Sequence, residues 1–243
     1  MSAAEARQEE VSNVILASLP PAEFEELAPS LERASFAAGE RLFDVEDAPS
    51  RVYFVESGLL SLISTLEDGT SIEVAALGRE GLGGLLMLLG ADAAVHTALA
   101  QIGGSALSLR IERAREAFAR LPAFRSRALG YARMLMAHVA QTAACNTLHT
   151  VEQRLARWLL MCRRRTESDT IPLTQEFLSN MLGVRRSGVT VAVGVVERAG
   201  LIAHSRGTIV VKDAEGLRDV SCECIRIMTE EYEEFVNQKI RTE

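Results

Sequence analysis

The sequence predicts an α+β fold in which a strand-rich β-roll, a long helix and a winged helix-turn-helix follow one another along the chain. Three observations carry that prediction. Side-chain polarity alternates with a period near two from Ala34 to about Ile111. Helical periodicity takes over from Glu112, and Pro122 opens a stretch running to Asn146 without another proline. A short turn containing Gly183 then separates two amphipathic segments, the second opening on Arg185-Arg186.

Val14 to Leu31 reads as short helices, with Pro20 and Pro21 at a first turn, where a missing N–H costs nothing. Phe24, Leu27, Ala28 and Leu31 fall on one face. In the strand region, turn signals recur at Ala38-Gly39, Ala48-Pro49, Ser57-Gly58, Asp68-Gly69, Gly78, Gly90 and Gly103-Gly104. Strands this short and evenly spaced suggest a barrel or double-sheet roll. Glu67-Asp68-Gly69, between LLSLIST and SIEVAAL, is a hairpin signal. IERAREAFARL then reads as one short helix. In the long helix, Ala128, Ala132, Leu135, Val139 and Thr142 recur at alternating steps of four and three, a coiled-coil seam that would pair two copies of the chain. An ordinary buried helix is the alternative. His149 to Arg165 forms a further helix. Residues 214–240 form a last one, with Val220, Cys224, Ile227, Met228, Tyr232 and Phe235 as its apolar stripe.

The 243 residues carry a formal net charge of −7, which read globally argues against nucleic acid. The distribution argues otherwise. Residues 1–110 carry −11, 111–147 carry +4, 148–212 carry +5 and 213–243 carry −5. Phosphate contact requires a basic surface rather than a basic protein. No apolar run approaches membrane-spanning length, and the acidic N-terminus lacks a signal core, so a cytoplasmic location is expected. Four cysteines exclude a disulfide scaffold. GREGLGG lacks the GxGxxG spacing and no nucleophile–base arrangement is found, so no enzymatic activity is expected.

The informative stretch is Leu173 to Val211. Thr174 is placed as an N-cap, with Phe177, Leu178, Met181 and Leu182 turned inward. Gly183 supplies the sharp turn. The next helix faces the core with Val189, Val193 and Val196 and presents Arg185, Arg186, Ser187 and Thr190 outward. In this motif the N-terminal residues of the second helix reach base edges in the major groove. AGLIAHSRGTIVV reads as strand, turn, strand, with His204, Ser205 and Arg206 in the turn and placed against a flanking phosphate.

With Thr174–Leu178, Met181–Arg186, Ala199–Ile202, Ser205–Gly207 and Cys222–Cys224 in place, the chain resembles the CRP/FNR family of bacterial transcription regulators over residues 13–240. The match is to a subgroup marked by TQEFLxxMLGVRR, AGLI, SRG and a terminal CEC. The resemblance implies a cyclic-nucleotide-binding-like jelly roll over 13–120 and a dimerisation helix over 121–147. It further implies a winged helix-turn-helix over 148–213, a C-terminal amphipathic helix over 214–243, and a homodimer on a two-fold symmetric site in double-stranded DNA. RNA polymerase is the further partner it implies. The family's DNA-reading Arg-Glu-Thr triplet corresponds here to Arg186, Ser187 and Gly188, so the resemblance makes Arg186 the base reader, with Arg185 and Ser187 on bases or phosphates and Thr174, Gln175 and Arg206 on phosphates; the triplet's Glu is absent, so a different half-site is expected.

Departures from that family restrict the effector. Cyclic-nucleotide-binding members hold the ribose with a Gly-Glu pair and the cyclic phosphate with an Arg-Ser pair. Here Gly83-Gly84 fall near the first, and Ala94-Val95 or Val95-His96 near the second. No Lys or Arg occurs from Glu80 to Leu109. A buried cyclic phosphate needs a charge-assisted partner, so neither cAMP nor cGMP is expected to bind tightly. The pocket candidates are Leu82, Gly83, Gly84, Val95, His96 and Thr97, open to an unidentified, less anionic effector. A cyclic-nucleotide-activated regulator and an interaction module without DNA binding are the alternatives. No cysteine precedes Cys145, which argues against an N-terminal iron–sulfur cluster. His96 and His138 are candidate haem ligands only as isolated residues. Cys222 and Cys224 are read as core, with thiol sensing or metal ligation as alternatives. Two cysteines on one helical turn leave a tetrahedral zinc site incomplete, so no metal or other cofactor is predicted.

Overall fold

The structure is a computed structural model that describes residues 6–238. Its elements run α1 (Val14–Ala17), α2 (Pro21–Leu27), β1 (Glu32–Phe36), β2 (Arg41–Phe43), β3 (Arg51–Thr65), β4 (Ser71–Leu77), β5 (Leu82–Gly83), α3 (Leu85–Leu88) and β6 (Thr97–Arg110). There follow α4 (Ile111–Arg120), α5 (Pro122–Leu148), α6 (Val151–Thr166), β7 (Thr170–Pro172), α7 (Gln175–Leu182), α8 (Arg186–Arg198), β8 (Ile202–Ser205), β9 (Thr208–Val211), α9 (Ala214–Asp219) and α10 (Cys224–Asn237). The chain divides into two compact units. Among the described residues, the first comprises 6–62, 76–136 and 233–238; the second comprises 63–75 and 137–232. The cuts fall inside the β3–β4 hairpin, inside α5 and inside α10, not at the domain boundaries expected from sequence.

In the first unit, the strand order is β1-β6-β3-β4, with β2 also pairing β6 and β5 pairing β3. The core holds Val52, Phe54, Val55, Leu59, Leu60, Ala98, Ala100 and Leu109, all buried. Two expected turns are not turns. Ser57-Gly58 and Gly103-Gly104 lie inside the fifteen-residue β3 and fourteen-residue β6. The reason is a close crossing of backbones. A Cβ built on Gly104 would stand 2.1 Å from the Ser57 carbonyl oxygen, and the Ser105 amide donates to Ser57 Oγ at 3.1 Å. The glycines serve interstrand approach, as strand glycines often do.

Asn13 anchors the start of this unit. Its fully buried side-chain amide donates to the carbonyls of Val55, Arg79 and Gly81 at 2.9–3.0 Å, and its Oδ1 caps Ile15 and Leu16. The Glu23 carboxylate accepts from the amides of Ala123 and Phe124 at 3.0 and 2.9 Å, satisfying orphan donors at the start of α5. Arg127 is buried, stacks 4.4 Å from the Phe235 ring centroid and donates to the carbonyls of Phe235 and Gln238 at the end of α10.

That packing corrects the seam on α5. Ala128 is fully buried within the chain, as are Phe124 and Tyr131, so Ala128 cannot face a second copy. Ala132, Leu135 and Thr142 are half-buried and Val139 is exposed. The outward apolar stripe runs Leu129, Ala132, Met136, Val139, Ala143, with Met136 71% exposed. Its steps alternate three and four, but its axis is rotated from the expected one, because the chain's own packing takes the neighbouring face.

The last helix is also interrupted. Residues 220–223 are non-helical between α9 and α10, Val220 is exposed, and the segment beyond residue 238 lies outside the described residues. Gly104→Ala is expected to cost at least about 1–3 kcal/mol, because backbone rather than a flexible side chain must give way. Urea unfolding should show a lower midpoint with an unchanged slope; wild-type stability would contradict the close crossing.

Candidate nucleic-acid interface

The second unit builds its presented helix from a chain of local constraints. Thr150 and Gln153 form a reciprocal capping box that starts α6. Leu155, Ala156, Trp158 and Leu159 of α6 are buried. The Trp158 indole donates to Glu73 Oε1 at 2.9 Å, and its ring lies 6.3 Å from that of Phe177. The tip of the β3–β4 hairpin is therefore part of this unit's core.

Thr174 Oγ1 accepts from the Phe177 amide at 3.1 Å, the N-cap read from sequence. Leu178, Met181 and Leu182 are buried and Phe177 is half-buried. Gly183 ends α7 with φ +60°, in the left-handed region that glycine enters without penalty. Its Cα lies against Ile72, and a Cβ there would meet Ile72 Cδ1 at 3.0 Å. The turn then delivers Arg185 as N-cap of α8.

Val189, Ala192, Val193 and Val196 bury one face of α8. Arg185, Arg186, Ser187 and Thr190 are exposed on the other, so four expected contacts share one surface. The Thr190 hydroxyl donates to the Arg186 carbonyl at 3.0 Å, which leaves its oxygen free to accept. The sequence pattern did not single out Val191, which is 61% exposed one residue further along the same face. A valine beyond the spacing of the buried ones was the available signal, and an apolar side chain there suits a thymine methyl. The side chain of Gln175 lies outside the described residues.

The wing is the sheet β7-β9-β8, in which Ser205 pairs with Thr208. His204 and Ser205 belong to β8, so the turn is Arg206-Gly207, with Arg206 exposed at its tip. Glu197 Oε1 accepts from the His204 amide at 2.7 Å, and the Leu173 amide donates to the Gly207 carbonyl at 2.8 Å. These bonds fix the wing against α8 and against the segment that leads into α7.

The expected effector residues lie in the first unit. Leu82 and Gly83 pair with Phe54 and Tyr53, and Gly84 (φ +86°) starts α3. Tyr53 packs against the buried cluster of Phe43, Ala94 and Ala98, which borders the 95–97 segment. Val95 is exposed, and His96 is half-buried with burial holding its pKa below the ordinary value. Thr97 Oγ1 donates to Asp44 Oδ1 at 2.6 Å. That bond, with a second from Arg41, holds the Asp44 carboxyl below the usual range and keeps an anion beside the segment. Arg115 reaches the region but donates to the carbonyls of Met87 and Ala91.

A helix-turn-helix with a β wing, in one chain with an antiparallel roll, defines a sensor-linked DNA-binding regulator. Residues 153–220 match the Crp-like helix-turn-helix domain and residues 33–120 the cyclic nucleotide-binding domain. The chain belongs to the CRP/FNR family of transcription regulators. It is 28% identical over 215 residues to the nitrogen fixation regulation protein FixK of Bradyrhizobium diazoefficiens, covering 83% of this chain and 87% of that protein. Its fold is similar to FixK2 from Bradyrhizobium japonicum (17% identity, TM-score 0.69, 79% of this chain and 98% of that one). It is also similar in fold to the c-di-GMP-responsive regulator CLP from Xanthomonas campestris (17% identity, TM-score 0.65, 79% and 99%). Among the described residues, no helix is long and apolar enough to cross a membrane.

Replacing Thr174 with alanine removes the cap on α7 and should cost about 1 kcal/mol of stability. Denaturant unfolding with and without operator DNA would separate this loss from any phosphate contact: a pure cap role lowers stability without changing the salt slope of binding.

Proposed function

We propose that the chain reads a two-fold symmetric site in double-stranded DNA as a homodimer, with the first turn of α8 from each copy in successive major grooves. The observation that carries this reading is the shared exposure of Arg185, Arg186, Ser187 and Thr190 on the face of α8 opposite its buried valines. Arg186 is the base reader, since a guanidinium makes a bidentate pair with guanine O6 and N7. Arg206 holds a flanking phosphate from the wing, and Thr174 and Gln175 add backbone contacts. Dimerisation runs along the outward stripe of α5, a helix of 27 residues and about 40 Å. The heptad steps of Leu129, Ala132, Met136, Val139 and Ala143 support pairing of two such helices. Two copies then meet half-sites about 34–36 Å apart. A promoter-reading role implies a cytoplasmic protein, with RNA polymerase as its downstream partner.

The roll takes neither cAMP nor cGMP in this reading. The absence of Lys and Arg from Glu80 to Leu109 and the Asp44 carboxylate beside Thr97 both support it. An uncharged or weakly anionic effector suits the apolar surround of Phe43, Tyr53, Ala94 and Ala98. Isothermal calorimetry with cAMP and cGMP should show no saturable heat at micromolar ligand. Micromolar or tighter binding would establish a cyclic-nucleotide-activated regulator instead.

DNA binding is tested by fluorescence anisotropy on the protein's own upstream DNA across a salt series, with scrambled DNA as control. Affinity should fall steeply with salt on both, because phosphate neutralisation releases counterions. Arg186→Ala should cost about 1–3 kcal/mol on cognate DNA and little on scrambled DNA. Equal losses on both would make Arg186 a backbone contact. Flat salt dependence would mean that the motif does not bind DNA.

Met136→Glu places a charge at the centre of the proposed seam. Light scattering should show monomers for that variant and dimers for the wild type. A dimeric Met136→Glu protein would place the interface elsewhere.

A further inference from the structure

The CEC motif acquires partners that its sequence spacing does not reveal. Cys145 and His149 stand four residues apart at the end of α5, with Cys145 in its last turn. Cys222 and Cys224 flank the turn into α10. The three sulfurs and one imidazole nitrogen all lie within 4.8 Å of one another. Cys145 Sγ is 3.5 Å from Cys222 Sγ, and Cys224 Sγ is 3.5 Å from His149 Nδ1. All four residues belong to the second unit. Cys222 lies outside the helix, so the pair does not occupy a single helical turn as its spacing suggested.

We infer that Cys145, His149, Cys222 and Cys224 form a tetrahedral site for one thiophilic divalent metal ion, of which zinc is the type. The edge of a tetrahedron with zinc–sulfur bonds of 2.3 Å is about 3.8 Å, close to the observed separations. An iron–sulfur cluster would need its cysteine sulfurs spread much further apart. Metal binding releases the three thiol protons to solvent and leaves a neutral imidazole, so a zinc-bound site carries a net charge of −1.

The surroundings match a metal site. His149 Nε2 is 3.2 Å from Glu223 Oε2, so a carboxylate holds the ring with Nδ1 turned to the sulfurs. Glu223 is thus the residue between the two cysteines and also the carboxylate that orients the histidine. Gln141 Nε2 donates to Cys224 Sγ at 3.0 Å. Arg154 and Arg157 are buried on the adjacent α6, near enough to Cys145 for their charges to act on it, and the Nε of each is buried without a hydrogen-bond partner. Their positive charge offsets the excess negative charge of three thiolates. The ion would tie the end of α5 to the segment that follows the wing, inside the DNA-binding unit.

The test uses the full-length chain, reduced and stripped with chelator, titrated with Co²⁺. One equivalent should produce sulfur-to-cobalt charge-transfer bands and the intense visible bands of tetrahedral cobalt, and one equivalent of zinc should abolish them. Cys222→Ser should lose those bands, while Cys162→Ser, outside the cluster, should keep them, with circular dichroism confirming that each variant is folded. Glu223→Gln changes an exposed side chain, so folding is not at issue. It should keep the tetrahedral spectrum and bind zinc about 10–100-fold more weakly. Folded wild-type protein that gives no tetrahedral spectrum, or a spectrum that survives in Cys222→Ser, would overturn the site. So would a chain that forms a Cys145–Cys222 disulfide in air and takes up no metal after reduction.

Discussion

The left-handed backbone at Gly183 is the constraint on which the DNA-facing half depends. Without it, α7 could not stop after Leu182 and release α8 three residues later. The same residue lacks a Cβ where Ile72 of the hairpin tip approaches. One glycine therefore sets the angle of the recognition helix and the distance to the strand tip beneath it. Any larger residue strains the backbone and presses on Ile72 together, which couples two requirements that a sequence motif shows as one letter.

The hairpin gives that coupling its reach. Strand β3 begins in the roll and β4 ends there, yet residues 63–75 between them belong with the helix-turn-helix. Glu73 is buried there and accepts from Trp158. Successive strand residues face opposite ways, so a slip of one residue would turn Glu73 away from Trp158 and present Ile72 or Val74 in its place. The hairpin is held at both ends: by the β3–β5 pairing at Tyr53 and Phe54, and by the buried indole at Glu73.

The sequence made the recognition half legible because its signals are local. A capping threonine, a turn glycine, paired arginines and buried valines at helical spacing each declare themselves within a few residues. The roll was legible as a class for the same reason, through alternation and the Asp68-Gly69 hairpin. What stayed hidden depends on distant partners. Gly58 and Gly104 read as turns because glycine is the commonest turn residue, and only the pairing of two long strands shows that they permit a crossing. Asn13 carried no signal, since its three carbonyl partners lie 42 to 68 residues away. On α5, periodicity located a heptad but could not say which of its faces the chain itself would take. Arg127 and Tyr131, engaged with Phe235, occupy part of it and rotate the free stripe toward Met136.

The cysteines show the same limit in sharper form. A C-x-C pair supplies half of a tetrahedral ligand set, and judged alone it belongs to a hydrophobic core. Cys145 and His149 stand 73 or more residues earlier, at the far end of a helix read for dimerisation. Their four-residue spacing is equally compatible with any buried helical face. Only the fold joins the pairs, and it also explains the acidic residue between the two cysteines, because Glu223 meets the outer nitrogen of His149. The end of α5 thus has two faces of different character: an outward apolar stripe that the chain leaves exposed, and an inner face that meets the segment behind the wing through Cys145 and Gln141. That inner face leads into α6, which packs on both α7 and α8, so the placement of α8 rests on contacts made by residues outside the motif itself.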